Sequence, residues 1–218
     1  MPYIGNDLVD LTSQPNRQKS TDSRFLKKIL TDTEMEQVRS SGDPDAALWS
    51  FWACKEAAYK VIQKKSNGAA FVPRRWSVGF QTFVNSTVGL QTLKKNYRDG
   101  VVGVPDFDAV YFRLFNFSSY LHCIATDAFG VMDNIMAHVD RMPDQESSAG
   151  ADPSWFVRLN LIRSLAAALR LPEEDLRVIR ETKNGVLTPP RLFIAGVPSD
   201  IELSISHDGR YVAYAYLT

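Results

Sequence analysis

The sequence predicts an α+β fold of two similar lobes, each an antiparallel sheet with one long helix. Three observations lead there. Helix signals precede strand signals twice along the 218 residues. Each half closes on a hairpin, whose last strand reads SYLHCIATD in the first and RYVAYAYLT in the second. Between the halves, Met142 to Gly150 is poor in apolar residues and rich in turn formers, as a linker is. The division is therefore a first lobe over 1–140, a linker over 141–152 and a second lobe over 153–218.

The elements follow in order. Arg24 to Leu30 places Phe25, Leu26, Ile29 and Leu30 at helical intervals, and Thr31 with Glu34 has the spacing of a capping box ahead of a second short helix. Asp43-Pro44 gives an N-cap and a first-turn proline, and Ala46 to Lys65 then runs without glycine or proline until Asn67-Gly68. Trp76, Val78 and Phe80 alternate as in a strand. Val110 to Phe115 and Tyr120 to Ala125 make the first hairpin around Asn116 to Ser119. Asp152-Pro153 starts the second long helix, which ends near Leu171-Pro172 and is expected to turn Trp155, Leu159, Ile162, Ala166 and Leu169 to the core. Ile201, Leu203 and Ile205 alternate into Asp208-Gly209, a strong turn signal, and Tyr211 to Leu217 returns as the last strand.

Composition excludes several classes. Lys+Arg 25 against Asp+Glu 25 gives no net charge, so no nucleic-acid partner is expected. The two cysteines, Cys54 and Cys123, lack metal-ligand spacing and form no disulfide framework. No run approaches the roughly 18 apolar residues of a membrane span, and Asp7 and Asp10 interrupt any leader-like start. A cytoplasmic protein with no membrane partner is expected.

Three segments could carry chemistry. In the long helix Lys55, Glu56, Tyr59, Lys60 and Gln63 fall within an arc of roughly 140° around Trp52, while Ala53, Cys54, Ala57, Ala58 and Val61 lie opposite and are small enough to pack closely on a sheet. Alone, Glu56 and Lys60 are an i,i+4 pair that stabilises a helix. In Gly5-Asn6-Asp7-Leu8-Val9-Asp10 the two acids are an odd number apart and must face opposite sides of a strand, although Asn6-Asp7 is also a common turn pair. In Ser204-Ile205-Ser206-His207-Asp208-Gly209 a hydroxyl and an imidazole sit near a turn, where both could donate to an anion.

Taken together, Gly5-x-Asp7, Phe25 with Leu30-Thr31-x-x-Glu34, Trp52-x-x-Lys55-Glu56-Ala57-x-x-Lys60 and Ser204-x-Ser206-His207-Asp208-Gly209 resemble the signature segments of the 4'-phosphopantetheinyl transferase superfamily. The resemblance implies two lobes meeting as a pseudo-dimer within a monomer, with coenzyme A and Mg²⁺ at their junction. It also implies the reaction: the serine of an apo acyl or peptidyl carrier protein takes phosphopantetheine from coenzyme A. By the same resemblance Asp7 and Glu56 are the Mg²⁺ ligands, Lys60 and Lys55 bind phosphate, Ser206 and His207 contact the 3'-phosphate of coenzyme A, and Glu56 is the candidate base. Three features depart from the long, two-lobe type, one being that Lys183 to Arg191 replaces its Gly-Lys-Pro segment before the SH turn. The Asp-bearing lobe precedes the SH-bearing one, as though permuted, and Asp10 stands where the short type, not the long one, places its second acid. Two other functions fit part of the pattern: a non-catalytic coenzyme A binder of the same fold, and a metal-dependent nucleotide pyrophosphate hydrolase.

Overall fold

The computed structural model describes residues 1–66, 68–81, 97–143, 152–183 and 185–218. Most of the expected linker, residues 144–151, lies outside them, as does Asn67. Strand β1 (Ile4–Asp10) is followed by helices α1 (Ser23–Ile29), α2 (Asp32–Ser40) and α3 (Pro44–Lys65), then by strands β2 (Ser77–Phe80), β3 (Tyr97–Gly103), β4 (Val110–Asn116) and β5 (Tyr120–Thr126). The second half holds β6 (Met136–Arg141), α4 (Pro153–Leu169), β7 (Leu176–Ile179), β8 (Thr182–Lys183), β9 (Val186–Leu187), β10 (Arg191–Ile194), β11 (Val197–Pro198), β12 (Glu202–Asp208) and β13 (Tyr211–Leu217). Among the described residues all strand pairs are antiparallel, in sheets ordered β1-β5-β4-β3-β2, β12-β13-β6, β11-β10-β7 and β8-β9. The α+β class and both hairpins match the expectation. Among the described residues no helix is long and apolar enough to cross a membrane.

The halves share a plan. In each, an opening strand pairs with the closing strand of the terminal hairpin, β1 with β5 and β6 with β13, and one long helix follows the opening strand. The sequence division left β6 almost wholly in the first lobe, but its hydrogen bonds run to β13 of the second.

The expected caps form: Asp43 accepts from Ala46 N, Asp152 from Ser154 N, and Thr31 with Glu34 closes the capping box; Asp22, not anticipated from the sequence, accepts from Phe25 N and caps α1. The small face of α3, Ala53, Cys54, Ala57, Ala58 and Val61, packs on Phe112, Leu114, Leu121 and Cys123 of the first sheet. Gly5 sets how close β1 comes, since a Cβ there would lie 2.1 Å from the Ala57 carbonyl oxygen. In α4 the buried ridge is Val157, Leu161 and Leu165, packed on Leu203, Val212 and Tyr214. The expected face is borne out in part: Ala166 is buried and Ile162 and Leu169 pack against the same cluster, whereas Trp155 is 58% exposed, because an i,i+4 aliphatic ladder fills the space over the sheet.

Strand β1 is both an edge strand and the seam between the lobes. Gly5 and Val9 face α3, whereas Ile4 and Leu8 face Ala215, Leu217, Tyr211 and Ala213 of the second lobe. Its free edge is satisfied by side chains. Lys64 Nζ donates to Ile4 O (2.8 Å), Lys60 Nζ to Asn6 O (2.6 Å) and Asn16 Nδ2 to Asp10 O (2.9 Å), while Asn6 N donates to Ser204 Oγ (2.9 Å) and Asp10 N to Asp208 Oδ2 (2.8 Å). Lys64 also bonds Glu202 Oε2 (2.7 Å) and Leu203 O (2.7 Å), bolting α3 to β12.

Lys55 departs from the phosphate-binding role that the resemblance implies. Its side chain is fully buried, and Nζ donates to Glu34 Oε2 (2.6 Å), Ile29 O (2.8 Å) and Pro73 O (2.8 Å), so all three ammonium protons are committed to α1, α2 and the segment before β2. The other oxygen of Glu34 accepts from Val78 N (2.9 Å). Burial pulls the Lys55 pKa down, and the Glu34 charge opposes that pull. Lys55→Met should lower unfolding free energy by about 3–5 kcal/mol in urea titrations, because it strands a buried carboxylate.

Candidate active site

Asp7, Glu56 and Lys60 meet where β1 crosses α3. The G-x-D spacing puts Gly5 and Asp7 on the same face, so the close approach at Gly5 brings the Asp7 carboxyl against the helix. Lys60 Nζ lies 3.1 Å from Asp7 Oδ1, and its bond to Asn6 O leaves a third N–H uncommitted to either. Glu56 stands one turn earlier on α3. Burial, then the negative charge of Asp7, pushes its pKa up to about 7 against the pull of Lys60. Asp7 is raised by burial, with Asp208 adding to the rise and Lys60 opposing it. Carboxylates thus outnumber ammonium groups here.

That donor set fits a hard divalent cation. Two partly desolvated carboxylates that repel each other are relieved by Mg²⁺, which takes one or two carboxylates and completes its shell with water and substrate oxygens. Among the described residues no group of three or more Asp, Glu, His or Cys side chains could hold a metal ion by itself.

Asp10 is turned to the opposite side of β1 and has a structural task. It is 2% exposed and accepts from Thr12 N (2.9 Å) and Arg210 N (3.1 Å). Burial would raise its pKa, yet the hydrogen bonds from Thr12 and Arg210 outweigh it and the net shift is downward. It also sits against Gly209, whose φ of +53° suits glycine and whose Cβ would meet Asp10 Oδ2 at 2.4 Å.

The second lobe presents β12 beside this site. Strand alternation turns Ser204, Ser206 and Asp208 toward β1, and the Ser206 hydroxyl accepts from Asn6 Nδ2 (3.0 Å). His207 is exposed and points to the other face, so the structure does not bring Ser206 and His207 to one point. The extended backbone persists through Asp208, where the sequence reading had begun the turn. One helical turn past Lys60, Gln63 and Lys64 line a cleft of about 810 Å³ between the lobes, closed opposite by Thr188 to Arg191 and Ser199 to Leu203.

Sequence reading missed His122 of β5. It is buried, stacks on Phe115, and its Nε2 lies 3.2 Å from Asn6 Nδ2, which makes it the Nδ1-protonated neutral tautomer when the amide donates. Its only signal was a polar residue inside an apolar strand. Burial, with the Lys60 charge second, drives its pKa down to about 3.

Residues 3–102 match the family model of the 4'-phosphopantetheinyl transferase superfamily. The holo-[acyl-carrier-protein] synthase of Leptospira biflexa is 36% identical over 62 residues, 28% of this chain and 49% of that protein. That of Chlorobaculum tepidum is 39% identical over 59 residues, 27% of this chain and 50% of that protein. The chain therefore spans about half the length of the curated relatives it matches. A crystal structure of Thermotoga maritima holo-[acyl-carrier-protein] synthase aligns over 91% of this chain and 86% of that one, with a TM-score of 0.37 and 14% identity.

Because the folded pKa of His122 lies below its ordinary 6.5, the stability it contributes is present above pH 6.5 and is lost as the pH falls toward 3. Between pH 7 and pH 5 that loss is about 2 kcal/mol. Urea unfolding of His122→Gln at both values should show a pH dependence smaller by that amount.

Proposed function

We propose that the chain belongs to the 4'-phosphopantetheinyl transferase superfamily, whose family model matches residues 3–102, and that it moves phosphopantetheine from coenzyme A to a serine of an apo acyl or peptidyl carrier protein. The observation that carries the reading is the meeting of Asp7, Glu56 and Lys60 at a site with excess carboxylate, beside an inter-lobe cleft. Asp7 and Glu56 would hold Mg²⁺, which when bound neutralises charge on the pyrophosphate. The free N–H of Lys60 meets a phosphate oxygen, and Glu56 is assigned as acceptor of the serine proton. The serine oxygen bonds to the phosphorus that bears pantetheine, the bridging P–O bond breaks, and adenosine 3',5'-bisphosphate leaves. His207, exposed on β12, is assigned to the 3'-phosphate.

Carrier proteins are acidic, and Arg17, Arg24, Lys27 and Lys28 are exposed around α1, with Lys19 beside them paired to Asp22. We assign docking to this surface. One chain supplies both lobes, so the reading needs no second copy.

Intact-mass measurement of an apo acyl carrier protein with this chain, coenzyme A and Mg²⁺ tests the reading. A gain of one phosphopantetheine group that a chelator abolishes supports it. No gain on any carrier class, with coenzyme A still bound, favours the non-catalytic binder. Asp7→Ala and Glu56→Ala should each slow transfer by roughly 10²–10³-fold or more with the circular dichroism unchanged. His207→Ala should raise the KM for coenzyme A by about tenfold, the scale of one charge-assisted hydrogen bond.

A further inference from the structure

Asn6 joins the two lobes at the point where the proposed chemistry occurs. It is fully buried, and its polar groups reach three elements. Its backbone N–H donates to Ser204 Oγ (2.9 Å), its carbonyl accepts from Lys60 Nζ (2.6 Å), and its side-chain Nδ2 bonds Ser206 Oγ (3.0 Å) and His122 Nε2 (3.2 Å). The Oδ1 atom is buried and has no partner among the described residues. An unmet acceptor in the core weakens a fold, so stability alone does not account for an amide at this position.

Resting on the transferase reading, we infer that Asn6 is a positioning residue: its side-chain amide fixes β12, and with it the second-lobe contacts to coenzyme A, relative to Lys60 and Asp7 of the first lobe. Both ends of coenzyme A would be held by different lobes, so a small slip between β12 and β1 misplaces one set of contacts against the other. The Ser206 hydroxyl then acts through Asn6, and His122 holds the amide from behind. Neither meets the substrate through this network.

The test uses Asn6→Leu, which keeps the branched heavy-atom skeleton, replaces the amide with two bulkier methyl groups and leaves the backbone bonds of residue 6 in place. Coenzyme A affinity is measured by titration calorimetry, transfer by carrier mass gain, and Tm by calorimetry, on the full chain. Asn6→Leu should raise the Kd and KM for coenzyme A by about tenfold, with the carrier KM and kcat within about twofold and Tm within a few degrees. Ser206→Ala should do the same, and the double variant should be no weaker than the weaker single one, because both cut one linkage. Unchanged coenzyme A affinity in Asn6→Leu, losses that add in the double variant, or a loss that follows a falling Tm overturns the inference. Asn6→Ala repeats the test if leucine is not accommodated. Wild-type protein that binds no coenzyme A defeats the transferase reading itself, an outcome distinct from wild type and Asn6→Leu binding equally well, which defeats the positioning role alone.

Discussion

Everything in this molecule hangs on the free edge of β1. A strand at the rim of a sheet leaves every second amide and carbonyl without a ladder partner, and burial makes that costly. Here α3 and β12 approach the same edge from either side and answer it with side chains: Lys60 and Lys64 on the carbonyls, Ser204 and Asp208 on the amides. Satisfying the backbone therefore places a lysine beside Asp7 and draws the second lobe against the first. The candidate site is a by-product of closing a seam, which is why the polar residues around it serve structure and chemistry together.

The charge balance at the seam follows from the same packing. Gly5 lets β1 press against α3, and that closeness puts Asp7 near Glu56 in a half-dry place where two carboxylates disfavour each other. Lys60 offsets part of this but is shared with a backbone carbonyl. Lys64, one turn on, is drawn fully into the lobe junction by Glu202 and two carbonyls. Lys55, one residue before Glu56, is pulled the other way by Glu34. These three of the four lysines on α3 thus have three destinations, and of them Lys60 keeps its ammonium at the site.

That divergence shows what the sequence could and could not disclose. Local rules were sufficient for the caps at Asp43 and Thr31, for the small face of α3 and for both hairpins, because each is decided within a few residues. The placement of Asp7 opposite Asp10 followed from strand parity alone. Lys55 was misjudged because helical angle gives the direction of a Cβ, whereas a lysine stem of four methylenes goes wherever its ammonium finds acceptors, here on elements about 20 residues to either side. Ser206 and His207 were grouped because both were placed at the tip of a hairpin, whereas the strand runs on through Asp208 and successive residues of a strand face opposite sides. No local rule could pair Asn6 with His122, since they meet across 116 positions, and the only trace of His122 was a polar residue inside an apolar strand. The pairing of β6 with β13 was equally remote, as only the completed hairpin offers that edge.

The bonds that close β1 also span the chain in time. Ser204 lies 198 positions after Asn6, and Asp208 198 after Asp10. At about 5–20 residues per second of synthesis, β1 waits on the order of 10–40 s for its partners. Through that interval the first lobe can form its sheet and seat α3, but it presents a bare strand margin flanked by Ile4 and Leu8, the pattern that invites pairing with other nascent chains. Lys60 and Lys64, already on α3, guard the carbonyls of that margin from the outset, while the amides stay open until β12 is made.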